Sequence, residues 1–282
     1  MKARRLEENL FKGLMIISLG LILTALAGII FVIVVKGISA LSLSMIIDTP
    51  KGGYYLGKEG GIANAIVGSL YLAFGASFLS IILSLPVAFA IQREYAGHLV
   101  ANCTRLVLDI LWGMPSIVYG AFGFVVMVYF GLRASLLGGI IVLTLLMLPI
   151  MIRSMEEVIR TVPLELKEVS YSLGTTKIET TVSVVLRQAL PGMITAVLLA
   201  FGRGIGDAAS ILFTTGYTDY MPGSLLDPVA SLPLAVFFQS ATPIPEVQDR
   251  AYTSALILLF IVLLVNIISR ILGWRFSKYI VR

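Results

Sequence analysis

Charged residues are scarce in this sequence. They make up 13% of its 282 residues, whereas an ordinary soluble domain contains about 25%. Hydrophobic residues reach 58%, which is more apolar surface than a soluble fold can hide from water. The net charge of +5 does not indicate a nucleic-acid-binding protein, because the basic residues gather at the ends of apolar segments rather than in one patch. The composition therefore excludes a soluble protein and predicts a membrane-embedded protein.

Cysteine and histidine are almost absent. Cys103 and His98 are the only residues of their kinds, so the chain cannot form an internal disulfide. Neither a metal-ligand cluster nor a Cys–His nucleophile pair is available. The sequence also lacks the glycine-rich Walker A pattern that cradles nucleotide phosphates. We therefore expect no catalytic residue, no metal and no cofactor in this chain.

Long charge-poor runs dominate what is present. A helix needs about 20 residues to cross about 30 Å of hydrocarbon. The segments between the runs are too short for a second domain, so we expect an all-α membrane protein with one transmembrane domain over residues 1–282 and six transmembrane helices. The first run is too long for the apolar part of a secretory signal and is predicted to be a retained span. The runs cover residues 14–35, 62–91, 106–130, 136–152, 192–215 and 251–271.

The distribution of Lys and Arg predicts the orientation of these spans. Fifteen of these residues lie in the terminal segments and in the second and fourth connections, whereas five lie in the alternate connections. Cytoplasmic loops carry the excess of basic residues in membrane proteins. We therefore expect a multi-pass protein of the cytoplasmic (inner) membrane with both termini in the cytoplasm.

The fourth connection, residues 153–191, has the pattern of two short helices around a turn. Gly174 can adopt the left-handed conformation that ends a helix. Thr176 and Glu179 have the spacing of a capping box, which starts a helix. Leu166, Val169 and Leu173 fall on one face of the first helix. This ridge predicts either an amphipathic helix on the lipid headgroups or a docking element for another protein.

One charged pair interrupts the fifth apolar run. Arg203 lies near the middle of residues 192–215, where an arginine costs about 2.5 to 3.5 kcal/mol on insertion scales. Asp207 follows at i+4 and is expected on the same helix face, and Gly202 and Gly206 leave room beside the pair. A guanidinium matches the oxygens of phosphate well. The hypothesis is that Arg203 meets an oxyanion in a transport pathway while Asp207 orients it, and the alternative is an ion pair that only joins two helices.

Several segments resemble one protein family. Glu168-Val169-Ser170, followed by Gly174, resembles the EAA loop of ABC importer permeases, which docks into a cleft of the ATPase subunit. Val169 and Ser170 replace the alanines of that motif, and Arg187 stands where a proline usually closes it. Four further segments resemble the PstA-type permease of phosphate ABC importers. They are residues 60–69, 115–118, 202–207 and 228–234.

The resemblance implies a type I ABC importer permease with MetI-like architecture and cytoplasmic coupling helices. It implies a PstC-like second permease, a dimer of ABC ATPases that binds ATP–Mg, and an extracytoplasmic phosphate-binding protein as partners. Glu168, Ser170, Leu173 and Gly174 would then belong to the ATPase coupling loop. Residues 36–61 and 216–250 would form the outer loops on which the binding protein lands.

Three other functions remain in competition at this point. A permease for another oxyanion would use the same charged pair. The Gly204-x-Gly206-Asp207 pattern matches that of GxGD intramembrane aspartyl proteases, but such chemistry needs two carboxylates that share a proton, and Asp109 is expected near the opposite end of its span. A secondary transporter or channel often has discontinuous helices in both halves, and the apolar runs indicate none.

Overall fold

The computed structural model describes residues 2–51, 60–92 and 94–276, and its longer elements are all helices. This description leaves out Met1, residues 52–59, Arg93 and residues 277–282. Part of the predicted outer loop of residues 36–61 therefore lies outside the described residues. The helices are α1 (Lys2–Ala40), α2 (Leu43–Ile47), α3 (Ala63–Ala90), α4 (His98–Gly113), α5 (Ser116–Tyr129), α6 (Leu136–Arg160), α7 (Leu164–Ser172), α8 (Lys177–Thr180), α9 (Leu186–Ile205), α10 (Leu232–Gln239) and α11 (Pro245–Phe276).

Within the described residues, five continuous helices are long and apolar enough to cross a bilayer, and a bent pair of helices makes a sixth crossing if it counts as one. The five are α1, α3, α6, the helix from Lys177 to Ile205, and α11. The pair is α4 with α5. This arrangement confirms the predicted all-α membrane fold.

Helix α6 forms the centre of the molecule. It packs on α3, α9, α4 and α5, and most of its apolar residues are buried. Glycines bring the neighbouring helices close: a Cβ at Gly75 of α3 would lie 2.6 Å from Ile140, and one at Gly204 of α9 would lie 2.7 Å from Met147. Small residues at helix crossings are the usual basis of packing in lipid, where no hydrophobic force draws helices together.

Helix α1 packs differently, because nearly all its described side chains are exposed. It packs on α11, and the close approach is at Gly37, where a Cβ would lie 2.8 Å from Leu256. An apolar helix exposed over most of its length must be covered by lipid or by another protein.

The third apolar run is not the single span that its composition predicts. Helices α4 and α5 are bent by 100° at the break between Gly113 and Ser116. Met114 there has an extended backbone (φ −73°, ψ 136°). Pro115 accounts for the break, because its ring disfavours the helical conformation of the preceding residue and it has no amide hydrogen to donate.

The fifth run also departs from the predicted bounds of 192–215. Its helix begins far earlier, at Lys177, continues through a π-helical segment (Thr181–Val185) and ends at Ile205. Helix α6 likewise continues to Arg160, so residues 161–176, which contain α7, separate the two helices, and the rest of the expected loop of residues 153–191 belongs to them. Pro191 lies inside α9 rather than before it.

The backbone after Gly206 is irregular, and part of it is buried within the protein. Thr214 and Thr215 are fully buried, and their carbonyl oxygens accept the amides of Ser135 and Val229 at 2.8 and 2.9 Å. Irregular backbone at membrane depth is tolerated only where protein satisfies its polar groups. Together with the α4–α5 break, this segment shows that the expectation of no discontinuous helices is wrong.

Candidate transport and coupling sites

Arg203 and Asp207 lie at the end of α9 rather than in the middle of a straight helix. Arg203 is in the last turn, and Asp207 follows the helix end at Gly206. Arg203 Nη2 is 3.8 Å from Asp207 Oδ1, so the two charges form a loose ion pair without a hydrogen bond at that distance. The two side chains are therefore within reach of each other, as the i, i+4 spacing predicts, but Asp207 lies just beyond the helix end instead of on the helix.

The two members of this pair differ in exposure. The Arg203 side chain is 56% exposed, whereas that of Asp207 is 5% exposed. Asp207 Oδ2 accepts the amide hydrogen of Ser210 at 2.8 Å. A carboxylate in this position stabilises the turn that follows the helix. Asp207 therefore holds the irregular segment in place, and the guanidinium of Arg203 extends away from the packed interior.

The glycines near the pair divide the end of α9 into an open and a packed face. Beyond its own helix, none of the described residues has an atom within 4 Å of a Cβ placed at Gly202, and Gly206 is exposed. Gly204 and Ile205, in contrast, are buried against the rest of the molecule. Arg203 lies on the open side. Within the described chain, the face beside the guanidinium at Gly202 is therefore uncovered.

The predicted helix, glycine turn and second helix are confirmed as α7, Gly174 and α8. Gly174 has φ +82°, which a residue with a side chain rarely adopts. Thr176 and Glu179 form the predicted capping box at the start of α8. We call residues 164–180 the coupling segment.

The apolar residues of the coupling segment do not form the predicted ridge. Leu166 packs against the hydrophobic core instead of facing outward. Val169 and Leu173 are 60% and 81% exposed, as predicted, because nothing within the described chain covers them. Further exposed apolar residues add to them. They are Leu164 on α7 and Ile178 on α8.

The two polar residues expected in the coupling segment have different surroundings. Glu168 is exposed. Ser170 is buried, and its hydroxyl lies 2.8 Å from that of Thr175 and 3.0 Å from that of Thr180. Ser170 therefore joins α7 to the turn and to α8, whereas Glu168 is free to meet a partner.

The connection between α3 and α4 holds the coupling segment from the side. Lys167 Nζ donates to Glu94 Oε1 at 2.7 Å, and Lys177 Nζ donates to the Glu94 carbonyl at 2.9 Å. The Tyr95 hydroxyl donates to the Lys177 carbonyl at 2.8 Å. Both helices of the coupling segment are thus tied to one short stretch of chain.

A cluster of charged residues lies next to this connection and was missed by sequence reasoning. Glu156 of α6 is 1% exposed and accepts hydrogen bonds from Arg105 Nε, Arg160 Nη2 and Arg153 Nη1 at 2.6, 2.7 and 2.8 Å. Arg153 Nε also lies 3.0 Å from Asp109 Oδ1. We call these five residues the Glu156 cluster. The spacing of Arg153, Glu156 and Arg160 on one helix face could have indicated part of it, but the contribution of α4 could not be read from the sequence.

Two of the segments that carry the family resemblance pack against each other at the other end of the molecule. The Ser69 hydroxyl accepts the amide of Leu232 at 2.7 Å, and Asn64 Nδ2 donates to the Thr218 carbonyl at 2.6 Å. Gly68 leaves room for the carbonyl of Ala230, with which any side chain would collide. The small and polar side chains of segment 60–69 are therefore needed because the backbone around Thr218, Ala230 and Leu232 packs directly against them.

Residues 80–279 match the family model described as "Binding-protein-dependent transport system inner membrane component". The chain belongs to this family. The match covers the coupling segment, the Glu156 cluster and the Arg203–Asp207 pair. A member of this family is an inner-membrane component of a transport system, which confirms the predicted multi-pass membrane protein and the prediction that it is not an enzyme.

Curated relatives are similar over most of their length. The phosphate transport system permease protein PstA of Yersinia pestis is 34% identical over 86% of this chain and 82% of the relative. The probable ABC transporter permease protein YqgI of Bacillus subtilis (strain 168) is 31% identical, with 98% of both chains covered. The permease therefore aligns with transporter subunits almost from end to end.

Solved structures support the fold. The methionine ABC transporter MetNI in an inward-facing conformation matches with a TM-score of 0.60 at 20% identity, over 78% of this chain and 96% of that one. An amino acid ABC transporter crystallised with histidines matches with a TM-score of 0.58 at 17% identity, over 76% of this chain and 93% of that one. The architecture of this permease is thus that of ABC importer permeases, as the sequence predicted.

Proposed function

We propose that this chain is a transmembrane permease subunit of an ATP-driven phosphate importer. The observation that carries the proposal is the similarity, over 86% of the chain, to a phosphate transport system permease. The agreement in fold with an ABC importer over 78% of this chain supports it. The chain forms one half of the pathway, and it uses ATP only through a partner subunit.

The surfaces that the described chain leaves uncovered and its resemblance to importer permeases support the proposed partners. An ABC ATPase dimer docks on the coupling segment, where Val169 and Leu173 are exposed and Gly174 sets the angle between the helices. Apolar side chains on a short helix suit insertion into a cleft. A PstC-like permease completes the pathway, and an extracytoplasmic phosphate-binding protein lands on the outer loops. In this orientation the coupling segment and both termini are cytoplasmic, which agrees with the excess of basic residues there.

Arg203 is the proposed contact for the anion. Its guanidinium is exposed on the open face of α9, and its distance of 3.8 Å from Asp207 leaves donors for a solute. The nearby carboxylate limits the affinity of the site, which lets the anion leave again. A different tetrahedral oxyanion would contact the same groups. Competition between phosphate and other oxyanions for uptake distinguishes this alternative.

The aspartyl protease is disfavoured by the ion pairs of its two candidate carboxylates. Asp109 pairs with Arg153, and Asp207 pairs with Arg203. Two carboxylates that are each paired with a different arginine are poorly arranged to share a proton.

The test is ATP-driven uptake of labelled phosphate by proteoliposomes that contain the assembled complex. We expect uptake by the wild type, competition by phosphate analogues before sulfate, and a loss of uptake of about tenfold or more in Arg203→Ala, because a charge-assisted contact to the solute is removed. Arg133→Ala is the matched control, since Arg133 is exposed in the connection before α6. Uptake without ATP, or a wild type that transports no phosphate, would refute the function. Normal uptake by Arg203→Ala would refute only the role of Arg203.

A further inference from the structure

The Glu156 cluster joins α4 and α6 at a single carboxylate and reaches the end of α3 through Arg105. Its arginines come from α4 (Arg105) and α6 (Arg153 and Arg160). Arg105 also donates through Nη2 to the carbonyl of Ile91, at the end of α3, at 2.8 Å. Charge-assisted hydrogen bonds from the planar guanidinium of an arginine fix the direction of the contact as well as its distance. The end of α3, the body of α4 and the end of α6 are therefore held at defined angles.

The coupling segment joins the same body by two routes. It follows directly after α6, because α7 begins shortly after Arg160. It is also tied through Lys167 to Glu94, which lies in the α3–α4 connection just after Ile91. A displacement of α7 therefore reaches α4 both along the chain and through the connection, and Glu156 lies where the two routes meet.

We propose that Glu156 is a positioning residue that transmits the movement of the coupling segment to α4 and, across the break at Met114–Pro115, to α5. The inference rests on the proposed function, because it needs an ATPase that displaces α7. Because Glu156 is 1% exposed, it is expected to act through the residues around it and not by direct contact with the solute or the ATPase. It acts by making α4, α6 and the coupling segment move as one body.

A role in stability alone explains the cluster poorly. Replacing a buried ion pair by packed apolar residues is often neutral or stabilising, so stability does not require a carboxylate among three arginines. A residue that couples the movements of two helices does require directional contacts, because coupling between sites depends on elements that change position together. The location of the cluster, between the coupling segment and the bent α4–α5 pair, agrees with that use.

The first test compares Glu156→Gln with Glu157→Gln in the assembled complex. Glu157 is the next residue on α6 and is exposed, so it is a matched control for charge and position. We expect Glu156→Gln to hydrolyse ATP while the uptake per ATP falls by about tenfold, which is an ordinary size for the coupling between two sites. Glu157→Gln keeps the wild-type ratio. If ATP hydrolysis and uptake fall in the same proportion, or if the ratio is unchanged, the inference is wrong.

The second test measures movement and does not depend on the transported solute. Cys103 is the only cysteine of the chain and is exposed on α4, and Ser172 is exposed on α7. Spin labels at Cys103 and at Ser172→Cys, in complexes whose other subunits carry no accessible cysteine, report the distance between α4 and the coupling segment. We expect this distance to stay constant on ATP binding in the wild type and to change in Glu156→Gln. A distance that changes equally in both proteins would overturn the inference.

A variant that keeps the charge covers the case in which Glu156→Gln does not assemble. Arg105→Lys retains the cation but loses the fork that reaches both Glu156 and Ile91. We expect it to assemble and to show the same fall in uptake per ATP. A normal ratio in Arg105→Lys, or a failure of both variants to assemble, would show that the cluster serves folding instead. If the wild type takes up no phosphate, the proposed function is refuted. The spin-label distance between α4 and the coupling segment still tests the role of Glu156, because it does not depend on the solute.

Discussion

Two of the arginine–carboxylate sites in the described part of the chain, the Glu156 cluster and the Arg203–Asp207 pair, differ in almost every physical respect. In the Glu156 cluster the carboxylate is 1% exposed and its nitrogen–oxygen distances are 2.6 to 2.8 Å. In the Arg203–Asp207 pair the distance is 3.8 Å and the arginine is 56% exposed. The enclosed Glu156 carboxylate has both of its oxygens hydrogen-bonded to arginines within the chain. In the loose pair, the exposed guanidinium of Arg203 keeps hydrogen-bond donors that a solute could use. Two sites with the same kinds of side chain can therefore be told apart by their distances and burial.

The largest expected effect is that of Glu156→Ala on stability. It leaves three arginines around a site that has lost its acceptor, and breaking a buried pair in this way costs about 3 kcal/mol, at the low end of the usual range because the arginines are partly exposed. Thermal unfolding of the purified chain in detergent measures this. Glu157→Ala serves as the control. Equal unfolding temperatures in the two variants would contradict the difference drawn between the sites.

Asp207→Ala tests the loose pair from its buried side. The substitution leaves the amide of Ser210 without its acceptor, and an unsatisfied buried donor costs about 1 to 3 kcal/mol. Arg203→Ala should change the unfolding free energy by less than about 1 kcal/mol, because exposed ion pairs contribute little. Detergent unfolding curves of both variants check the asymmetry. It is refuted if Arg203→Ala proves the more destabilising of the two.

Gly174→Ala tests the turn of the coupling segment. A residue with a side chain at φ +82° is strained by about 1 to 2 kcal/mol, and relief of that strain would rotate α7 against α8. We expect ATP hydrolysis by the assembled complex to become less dependent on the binding protein. Gly97→Ala is the control, since Gly97 has an ordinary φ of −61° and open space around it. Similar behaviour of the two variants would remove the role of the turn.

Ser170→Ala is expected to have the smallest effect. It removes the hydroxyl between Thr175 and Thr180, which are able to bond to each other at 2.9 Å, so the loss is about 0.5 to 1 kcal/mol. Hydrogen exchange of the α8 amides measures the loosening. Ser172→Ala, at an exposed position on the same helix, provides the baseline. Exchange that is equally slow in both variants would show that Ser170 does not join the helices.

Two apolar runs differ from the predicted spans for one physical reason. The apolar runs 106–130 and 192–215 have suitable composition for spans, yet α4 and α5 meet at a sharp bend and α9 ends at Ile205. Pro115 was available as a local signal for the first break. No comparable signal marks the second, because the segment after Gly206 is stabilised by distant partners such as Ser135 and Val229. Composition measures the apolarity of a segment, not the source of its hydrogen bonds.

Local features were predicted better than contacts between helices. The capping box of Thr176 and Glu179 and the left-handed Gly174 depend on neighbours within a few residues, so their spacing was sufficient. Leu166 was assigned to an outer ridge because helical periodicity identifies a face but does not say what covers it. The Glu156 cluster was missed for a related reason, since Arg105 is far from Glu156 in the chain.

The sequence by itself determined that this chain is a helical membrane protein, where its polar coupling segment lies, and which family it resembles. These properties depend on apolar length, on charge and on short-range spacing, all of which are local. Only the tertiary structure decided that Asp207 is anchored while Arg203 is exposed, and that Glu156 joins α4 to α6. Burial and ion-pair distance depend on which helices pack together, and that packing arises from many weak contacts between residues far apart in the chain.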